Sequence, residues 1–218
     1  MTKKTGCIIT GGTISPSFLS KHLKEHSYAL LIVVDGALEL TYALNIQPDY
    51  IVGDFDTVSE ELLNFYRKDS ILRHPPEKDQ TDTELAVETA IRFQCEEIHF
   101  LGATGTRLDH SLANIFLLQR LLKQGISGVI YDAYNKLYLK NTTFQLKKQE
   151  VKGDFFSLLP LTQTVEKVTL TGVKYPVKQR TFYREDTLGI SNEIIEDEAT
   201  IEFTNGIFIV VESKDNEG

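Results

Sequence analysis

The chain has 218 residues, of which 41% are hydrophobic and 25% are charged, so it can bury one large core or two smaller ones. Its formal net charge of −8 at pH 7 makes the surface repel phosphate backbones, which argues against nucleic acid as a partner. The longest apolar run, at 29–34, is too short for a membrane span, and the first residues lack a signal-peptide pattern. With two cysteines expected to be buried free thiols, Cys7 and Cys95, we predict a cytoplasmic protein without a membrane partner.

Short apolar runs alternate with helical patterns over the first two-thirds of the chain. The runs lie at 7–9, 29–34, 50–52, 97–101 and 128–131. Runs of this kind are typical of strands buried on both faces of a parallel sheet. Helices are predicted over 18–26, after the capping box 81–84, and from Asp109 as N-cap. This alternation predicts an open parallel α/β sheet domain over 1–135.

The pattern changes near Asn135 to β-rich runs without a strong helical period. The runs lie at 144–151, 154–159, 165–170, 189–195, 200–204 and 207–212. Between the last two, Asn205-Gly206 predicts a type I′ hairpin turn. We therefore expect a second domain, an antiparallel β-sandwich, over 136–218.

Acidic residues follow the ends of the predicted strands. They are Asp35, Asp54, Asp56, Asp82 and Asp109. Ligands of open α/β sheets bind outside the carboxyl ends of the strands, and an extended chain would point residues 54 and 56 to the same side. Crowded carboxylates repel unless a cation lies between them, and oxygen ligands suit Mg²⁺. Taken singly, Asp35 or Asp109 is better explained as a helix cap than as a ligand, but the pair Asp54 and Asp56 together with Asp82 favours a metal site.

Glycine-rich turns at two strand ends offer a place for phosphate groups. The segment 102–107 places Gly102, Thr104 and Arg107 between a strand and a helix, where backbone and guanidinium N–H groups can meet an anion. Gly11-Gly12 forms a second tight turn after the first strand, and Lys78 is a further candidate for phosphate contact. By itself this signal is weak, since a plain turn explains it equally well. The histidines His99 and His110 lack the spacing of a zinc site.

Five segments in order resemble the motifs of the thiamin pyrophosphokinase family. They are PDYIVGDFDT at 48–57, KDQTD at 78–82, GATGTRLDH at 102–110, GVKYP at 172–176 and GISNE at 189–193. Two positions depart from the family pattern: Thr57 stands where serine is usual, and Thr106 where glycine is commoner. Each segment alone is modest, but the ordered set is specific.

This resemblance implies a Mg²⁺-dependent enzyme that transfers the β,γ-diphosphate of ATP to the hydroxyl of thiamin. It implies a homodimer, with thiamin between the α/β domain of one subunit and the β domain of the other. By matching motifs, the metal ligands are Asp54, Asp56 and Asp82, with Asp35 as a fourth, and Ser191 and Asn192 face the pyrimidine. Asp109 joins the catalytic and substrate-binding residues, and the general base stays open among Asp54, Asp82 and Asp109.

Two other functions compete with this interpretation. The segment ITGGTI at 9–14 resembles the nucleophile segment of bacterial-type asparaginases, with Thr13 as nucleophile. The second threonine motif of those enzymes is incomplete here, because Asp79 and Gln80 replace the expected histidine and glycine. A non-catalytic nucleotide or thiamin sensor is the other alternative, and a turnover measurement distinguishes it from an enzyme.

Overall fold

The computed structural model describes residues 3–56, 58–66, 70–73, 80–105 and 107–215. It divides into two compact units, Met1–Ala133 and Tyr134–Gly218. Within the described ranges, no helix has both the length and the apolar character needed to cross a membrane.

The first unit is a parallel sheet of six strands with helices between them. In chain order its elements are β1 (Thr5–Ile9), α1 (Pro16–Glu25), β2 (Leu30–Val34), a 3₁₀ turn (Asp35–Ala37), α2 (Leu38–Ala43), β3 (Tyr50–Gly53), α3 (Glu60–Phe65), β4 (Ile71–Arg73), α4 (Asp82–Arg92), β5 (Glu97–Leu101), α5 (Leu108–Lys123) and β6 (Ser127–Tyr131). The strands lie in the order β4-β3-β2-β1-β5-β6, and each neighbouring pair is parallel. This confirms the predicted parallel α/β class.

The strand order reverses its direction of growth between β1 and β5. From β1 the chain adds β2, β3 and β4 on one side, then returns to place β5 on the other side. In open α/β sheets, a ligand crevice is expected at such a reversal, at the carboxyl edge of the sheet. The site described below lies at this reversal.

The starts of α4 and α5 test two helix-capping predictions made from the sequence. Thr81 caps α4, because its side chain accepts a hydrogen bond from the backbone N–H of Glu84, as the capping box predicts. For α5 the prediction of Asp109 as N-cap was wrong. The N-cap is Arg107 and the helix begins at Leu108, two residues earlier than predicted, so Asp109 lies inside the first turn. There its negative charge still suits the positive end of the helix.

The second unit contains two antiparallel sheets. Its strands are β7 (Asn135–Lys140), β8 (Phe144–Lys147), β9 (Phe155–Pro160), β10 (Thr164–Thr171), β11 (Val177–Tyr183), β12 (Glu198–Glu202) and β13 (Phe208–Ser213). One sheet has the order β7-β13-β9 and the other β11-β10-β12-β8. Rings from both sheets meet in the core, where Phe182 and Phe208 lie 5.6 Å apart between centroids. The predicted antiparallel β class is confirmed.

The prediction that Asn205-Gly206 joins two neighbouring strands in a hairpin was wrong. The flanking strands β12 and β13 belong to different sheets, so these residues connect the two sheets instead of joining neighbouring strands. Gly206 has a φ of 104°, and a Cβ there would lie 2.5 Å from the Thr164 carbonyl oxygen, which explains the need for glycine. The predicted strand over 189–195 was also wrong, since that segment makes isolated bridges at Asn192 and Ile194.

A buried carboxylate ties together the β7-β13-β9 sheet. Glu212 is 1% exposed. It accepts hydrogen bonds from the Lys136 ammonium, the Tyr138 hydroxyl and the Lys152 backbone N–H, at 2.8 to 3.2 Å. A buried charge is tolerated only when it is paired and hydrogen-bonded in this way.

Candidate nucleotide and metal site

A cleft of about 640 Å³ opens at the carboxyl edge of the parallel sheet. Its walls come from the loops after β1, β2, β3 and β5 and from the starts of α4 and α5. The sequence-predicted residues that line it are Gly11, Gly12, Asp35, Asp54, Asp82, Gly102, Thr104 and Arg107. Thr10, Thr13, Gln80, Thr81, His110 and Asn114 complete much of the lining. The cleft therefore lies where the reversal of strand order predicts a ligand site.

The loops after β1 and β5 are locked together through their backbones. The Gly12 N–H donates to the Gly102 carbonyl and the Thr13 N–H to the Thr104 carbonyl, both at 2.8 Å. A Cβ on Gly12 would lie 2.1 Å from the Gly102 oxygen and 2.4 Å from the Thr104 oxygen. Glycine is required at position 12 because no side-chain atom fits between the two loops.

A second glycine contact joins the loops after β1 and β2. A Cβ on Gly11 would lie 2.9 Å from backbone atoms of Gly36, the residue after Asp35. Gly53, at the end of β3, leaves room for a carboxylate, since a Cβ there would lie 2.7 Å from Oδ2 of Asp35. The glycines thus bring three strand ends close enough for their side chains to share one cleft.

Three carboxylates converge at those strand ends. Asp35 follows β2, Asp54 follows β3, and Asp82 is the first residue of α4. Burial raises the pKa of Asp35, and the negative charges of Asp82 and Asp54 raise it further, while hydrogen bonds from the Gly36 and Phe55 backbone N–H groups oppose the shift. A site that disfavours its own negative charge is one that a cation stabilises. The donors are all oxygens, which fits Mg²⁺.

Asp56 lies differently from its neighbour Asp54. The intervening Phe55 is buried and has a φ of 59°, so the chain turns after β3 instead of staying extended. The backbone N–H of Asp56 donates to Oδ1 of Asp54 at 3.2 Å, and the Asp56 side chain is exposed. The extended geometry on which we based the convergence of the two acids was therefore wrong, and Asp56 does not belong to the described cleft lining.

Arg107 and Asp109 form an exposed ion pair at the start of α5. The guanidinium Nε donates to Oδ1 of Asp109 at 3.1 Å and a second nitrogen donates to Oδ2. This hydrogen bonding lowers the pKa of the Asp109 carboxyl to about 2 and so keeps it ionised. Arg107 reaches the cleft lining, and Asp109 is turned toward Arg107. Lys78 lies outside the described residues.

A set of hydrogen bonds between α4 and α5, which we call the Arg120 clamp, was not predicted from the sequence. Arg120, on α5, donates to Glu84 at 2.7 Å and to Glu88 at 3.0 Å. Gln80, which lines the cleft, donates to Glu88 at 2.7 Å. These bonds fix the start of α4, where Asp82 lies, against the neighbouring helix. The i, i+4 spacing of the two glutamates was the only available sequence signal, and it does not identify the arginine.

The two predicted substrate residues of the second unit have different surroundings. Ser191 is exposed and has a φ of 53°. Asn192 is 5% exposed, and its amide bonds both the N–H and the carbonyl of Tyr175 at 3.1 Å and accepts from the Glu193 N–H. The Asn192 side chain therefore joins segments 172–176 and 189–193, two of the five motif segments.

Comparison with known proteins gives the family. Residues 21–130 match the profile described as thiamin pyrophosphokinase, catalytic domain, and residues 141–208 match thiamin pyrophosphokinase, vitamin B1 binding domain. The chain is 34% identical to the thiamine pyrophosphokinase of Bacillus subtilis, over 97% of this chain and all of that protein. Thiamin pyrophosphokinase 1 of Caenorhabditis elegans is 22% identical over 76% of this chain and 70% of its own length.

Solved structures agree with these matches. The crystal structure of the Bacillus subtilis thiamine pyrophosphokinase superposes with a TM-score of 0.85 at 32% identity, covering 98% of this chain and 100% of that one. The thiamin pyrophosphokinase from Geobacillus thermodenitrificans gives a TM-score of 0.82 at 29% identity, with 98% and 99% covered.

A parallel α/β unit with a glycine-lined acidic cleft, followed by an antiparallel β unit, has the architecture of a nucleotide-dependent enzyme with a separate binding module. Within that class, the two profile matches and the full-length relative establish that this chain belongs to the thiamin pyrophosphokinase family.

Proposed function

We propose that this chain transfers the β,γ-diphosphate of ATP to the hydroxyl of thiamin, giving AMP and thiamin diphosphate. The observation that carries the proposal is the convergence of Asp35, Asp54 and Asp82 on a glycine-lined cleft. That cleft lies within the part of the chain that matches the family's catalytic domain. Diphosphate transfer needs a site that positions phosphates and offsets their charge, which carboxylates do only with a bound cation.

The described residues fit Mg²⁺, and we propose Asp35, Asp54 and Asp82 as its ligands. When bound there, the ion supplies the positive charge that neutralises phosphate oxygens during transfer. The backbone turns at Gly11-Gly12 and at Gly102 through Thr104 line the cleft, and we place the phosphate groups against them. Arg107 can exchange its pairing with Asp109 for a phosphate oxygen, which would leave Asp109 ionised and available to accept a hydrogen bond.

We propose that the second unit recognises thiamin, in keeping with its match to a vitamin B1 binding domain. Exposed Ser191 is the residue suited to direct contact. The Asn192 amide is hydrogen-bonded to the Tyr175 backbone, so its role is to hold the segment 189–193, which includes Ser191, against the segment 172–176. Because thiamin carries a fixed positive charge, the acidic cleft also favours its approach electrostatically.

The proposal includes a homodimer in a reducing, cytoplasmic setting. On α5 the exposed side chains of Leu108, Leu112 and Phe116 recur every four residues, which forms an apolar stripe suited to a subunit contact. Cys7 and Cys95 are free buried thiols, as expected for a reducing compartment.

Product identification tests the proposal. Pure protein with ATP, Mg²⁺ and thiamin is expected to yield AMP and thiamin diphosphate in equal amounts. ADP with thiamin monophosphate would show transfer of a single phosphoryl group and would overturn it. The asparaginase-like alternative at Thr13 is not favoured by the family assignment; ammonia released from asparagine in the same preparation would revive it.

A further inference from the structure

A cluster of three histidines lies in the first unit, apart from the acidic cleft. His22 lies in the last turn of α1, His26 directly follows that helix, and His99 lies in the middle of β5. One ring nitrogen from each lies within 4.8 Å of the others. His22 and His99 are 4% and 5% exposed, and His26 is partly buried. We propose that these three histidines bind a divalent transition-metal ion, with Zn²⁺ as the first expectation.

The spacing of the histidines favours one metal ion between them. The chain leaves the helix at His26, and the rings of His22 and His26 stack there with centroids 4.1 Å apart. Tetrahedral zinc at about 2.1 Å from each nitrogen places its ligand atoms roughly 3.4 Å from one another. The three nitrogens must therefore approach by about 1 Å, which rotation of the imidazole rings can supply.

Hydrogen bonds already fix the proton positions of two ligands. Nε2 of His99 lies 3.0 Å from the Glu97 carboxylate, and Nδ1 of His26 lies 3.0 Å from the His22 carbonyl oxygen. An ionised carboxylate and a backbone carbonyl have no proton to donate, so both oxygens accept these hydrogen bonds. Each of these histidines thus carries its proton on the outer nitrogen and directs a lone pair inward. Carboxylate and carbonyl partners of this kind support metal-binding histidines generally.

Tyr28 is the group that competes with the metal. Its hydroxyl lies 2.7 Å from Nε2 of His22 and 2.9 Å from Nδ1 of His99. Because Nδ1 of His99 bears a lone pair, the Tyr28 hydroxyl donates to it and accepts from His22. Metal binding requires this hydroxyl to move aside and His22 to take the Nδ1–H tautomer. A water molecule is then the fourth ligand of the metal ion. The ion links the C-terminal end of α1 to β5.

Zinc binding to the whole protein tests this inference. The chain is stripped with a chelator, placed in excess Mg²⁺ to occupy the carboxylates, and titrated with Zn²⁺ against a chromophoric zinc chelator. We expect one tightly bound Zn²⁺, a higher melting temperature with zinc, and visible absorption of tetrahedral Co²⁺ when cobalt is used. Absence of stoichiometric zinc under these conditions would overturn the assignment.

Four variants identify the ligands. His26→Gln, at the partly buried position, is expected to abolish stoichiometric binding, and Glu97→Gln to weaken it about 10- to 100-fold. His110 lines the acidic cleft and is not part of the histidine cluster. His110→Gln is therefore the matched control and is expected to bind zinc as the wild type does. Tyr28→Phe removes the competing hydroxyl and is expected to bind at least as tightly. Wild-type affinity in a folded His26→Gln protein, or loss of zinc in Tyr28→Phe, would refute a three-histidine site.

Discussion

Replacing Gly12 by alanine tests whether the acidic cleft depends on the locked loops. The added Cβ would lie 2.1 Å from one backbone oxygen and 2.4 Å from another, and contacts under 3.0 Å are essentially never seen. The loops must therefore separate by about 1 Å, which breaks the two 2.8 Å backbone hydrogen bonds between them. At about 1 kcal/mol for each bond plus some lost packing, we expect a cost of roughly 2–3 kcal/mol.

The same displacement is expected to lower the rate of diphosphate transfer as well as the stability. Moving catalytic groups by about 1 Å costs on the order of 10²-fold in rate. Diphosphate transfer by Gly12→Ala is expected to fall by about that factor, and calorimetry to show a melting temperature lower by roughly 10 °C. The assay is performed well below this melting temperature, so that the folded population is the same in both proteins.

Gly125→Ala is the matched control for Gly12→Ala. Gly125 has a φ of 74°, and a Cβ there meets no heavy atom of the described residues within 4 Å. Alanine in this left-handed conformation costs about 1–2 kcal/mol, so the control loses stability without disturbing the cleft. Wild-type activity in Gly12→Ala, or an equal loss of activity in Gly125→Ala, would refute the argument.

Three further predictions concern single charged residues. Asp82→Asn is expected to lower kcat by about 10²-fold or more without lowering the melting temperature in chelator; a near-normal rate at limiting Mg²⁺ would exclude it as a ligand. Arg120→Gln is expected to cost about 1 kcal/mol or less at pH 7. Arg120 lowers the pKa of Glu88, so the stability that this ion pair contributes is present above the unfolded pKa of about 4.3 and is lost as the pH falls. Urea unfolding at pH 3 should therefore give the same stability for mutant and wild type, and a difference that persists there would contradict the prediction. Glu212→Gln is expected to cost about 3 kcal/mol, whereas the exposed Glu150→Gln should have almost no effect; equal costs would contradict the burial argument.

Local sequence signals were sufficient for five of the six parallel strands, all but β4, and for most of the residues that we expected in the acidic cleft. An apolar run followed directly by Asp35, or by Gly53 and Asp54, marks the end of a buried strand without reference to the rest of the chain. The capping box at Thr81 likewise specifies a helix start and so places Asp82 at the first turn of α4. Because parallel strands end at one edge, these local signals together predict that the side chains meet.

Other features depend on information that a local pattern does not hold. The turn at Phe55 requires a positive φ in a buried aromatic residue, which sequence preference argues against, and so the divergence of Asp56 was missed. Asn205-Gly206 signals a turn but not which strands it joins. The Arg120 clamp and the cluster of His22, His26 and His99 join residues from separate elements, so only the folded chain brings them together.

The position of β13 limits how the second unit can form during synthesis. This strand, Phe208–Ser213, is the last along the described chain, yet it lies between β7 and β9 and pairs with both. Until it leaves the ribosome, two strands made some fifty to seventy residues earlier have unpaired edges that other chains can bind. The parallel unit is complete at β6 and can fold well before that, so translation releases a finished first unit attached to an unfinished second one.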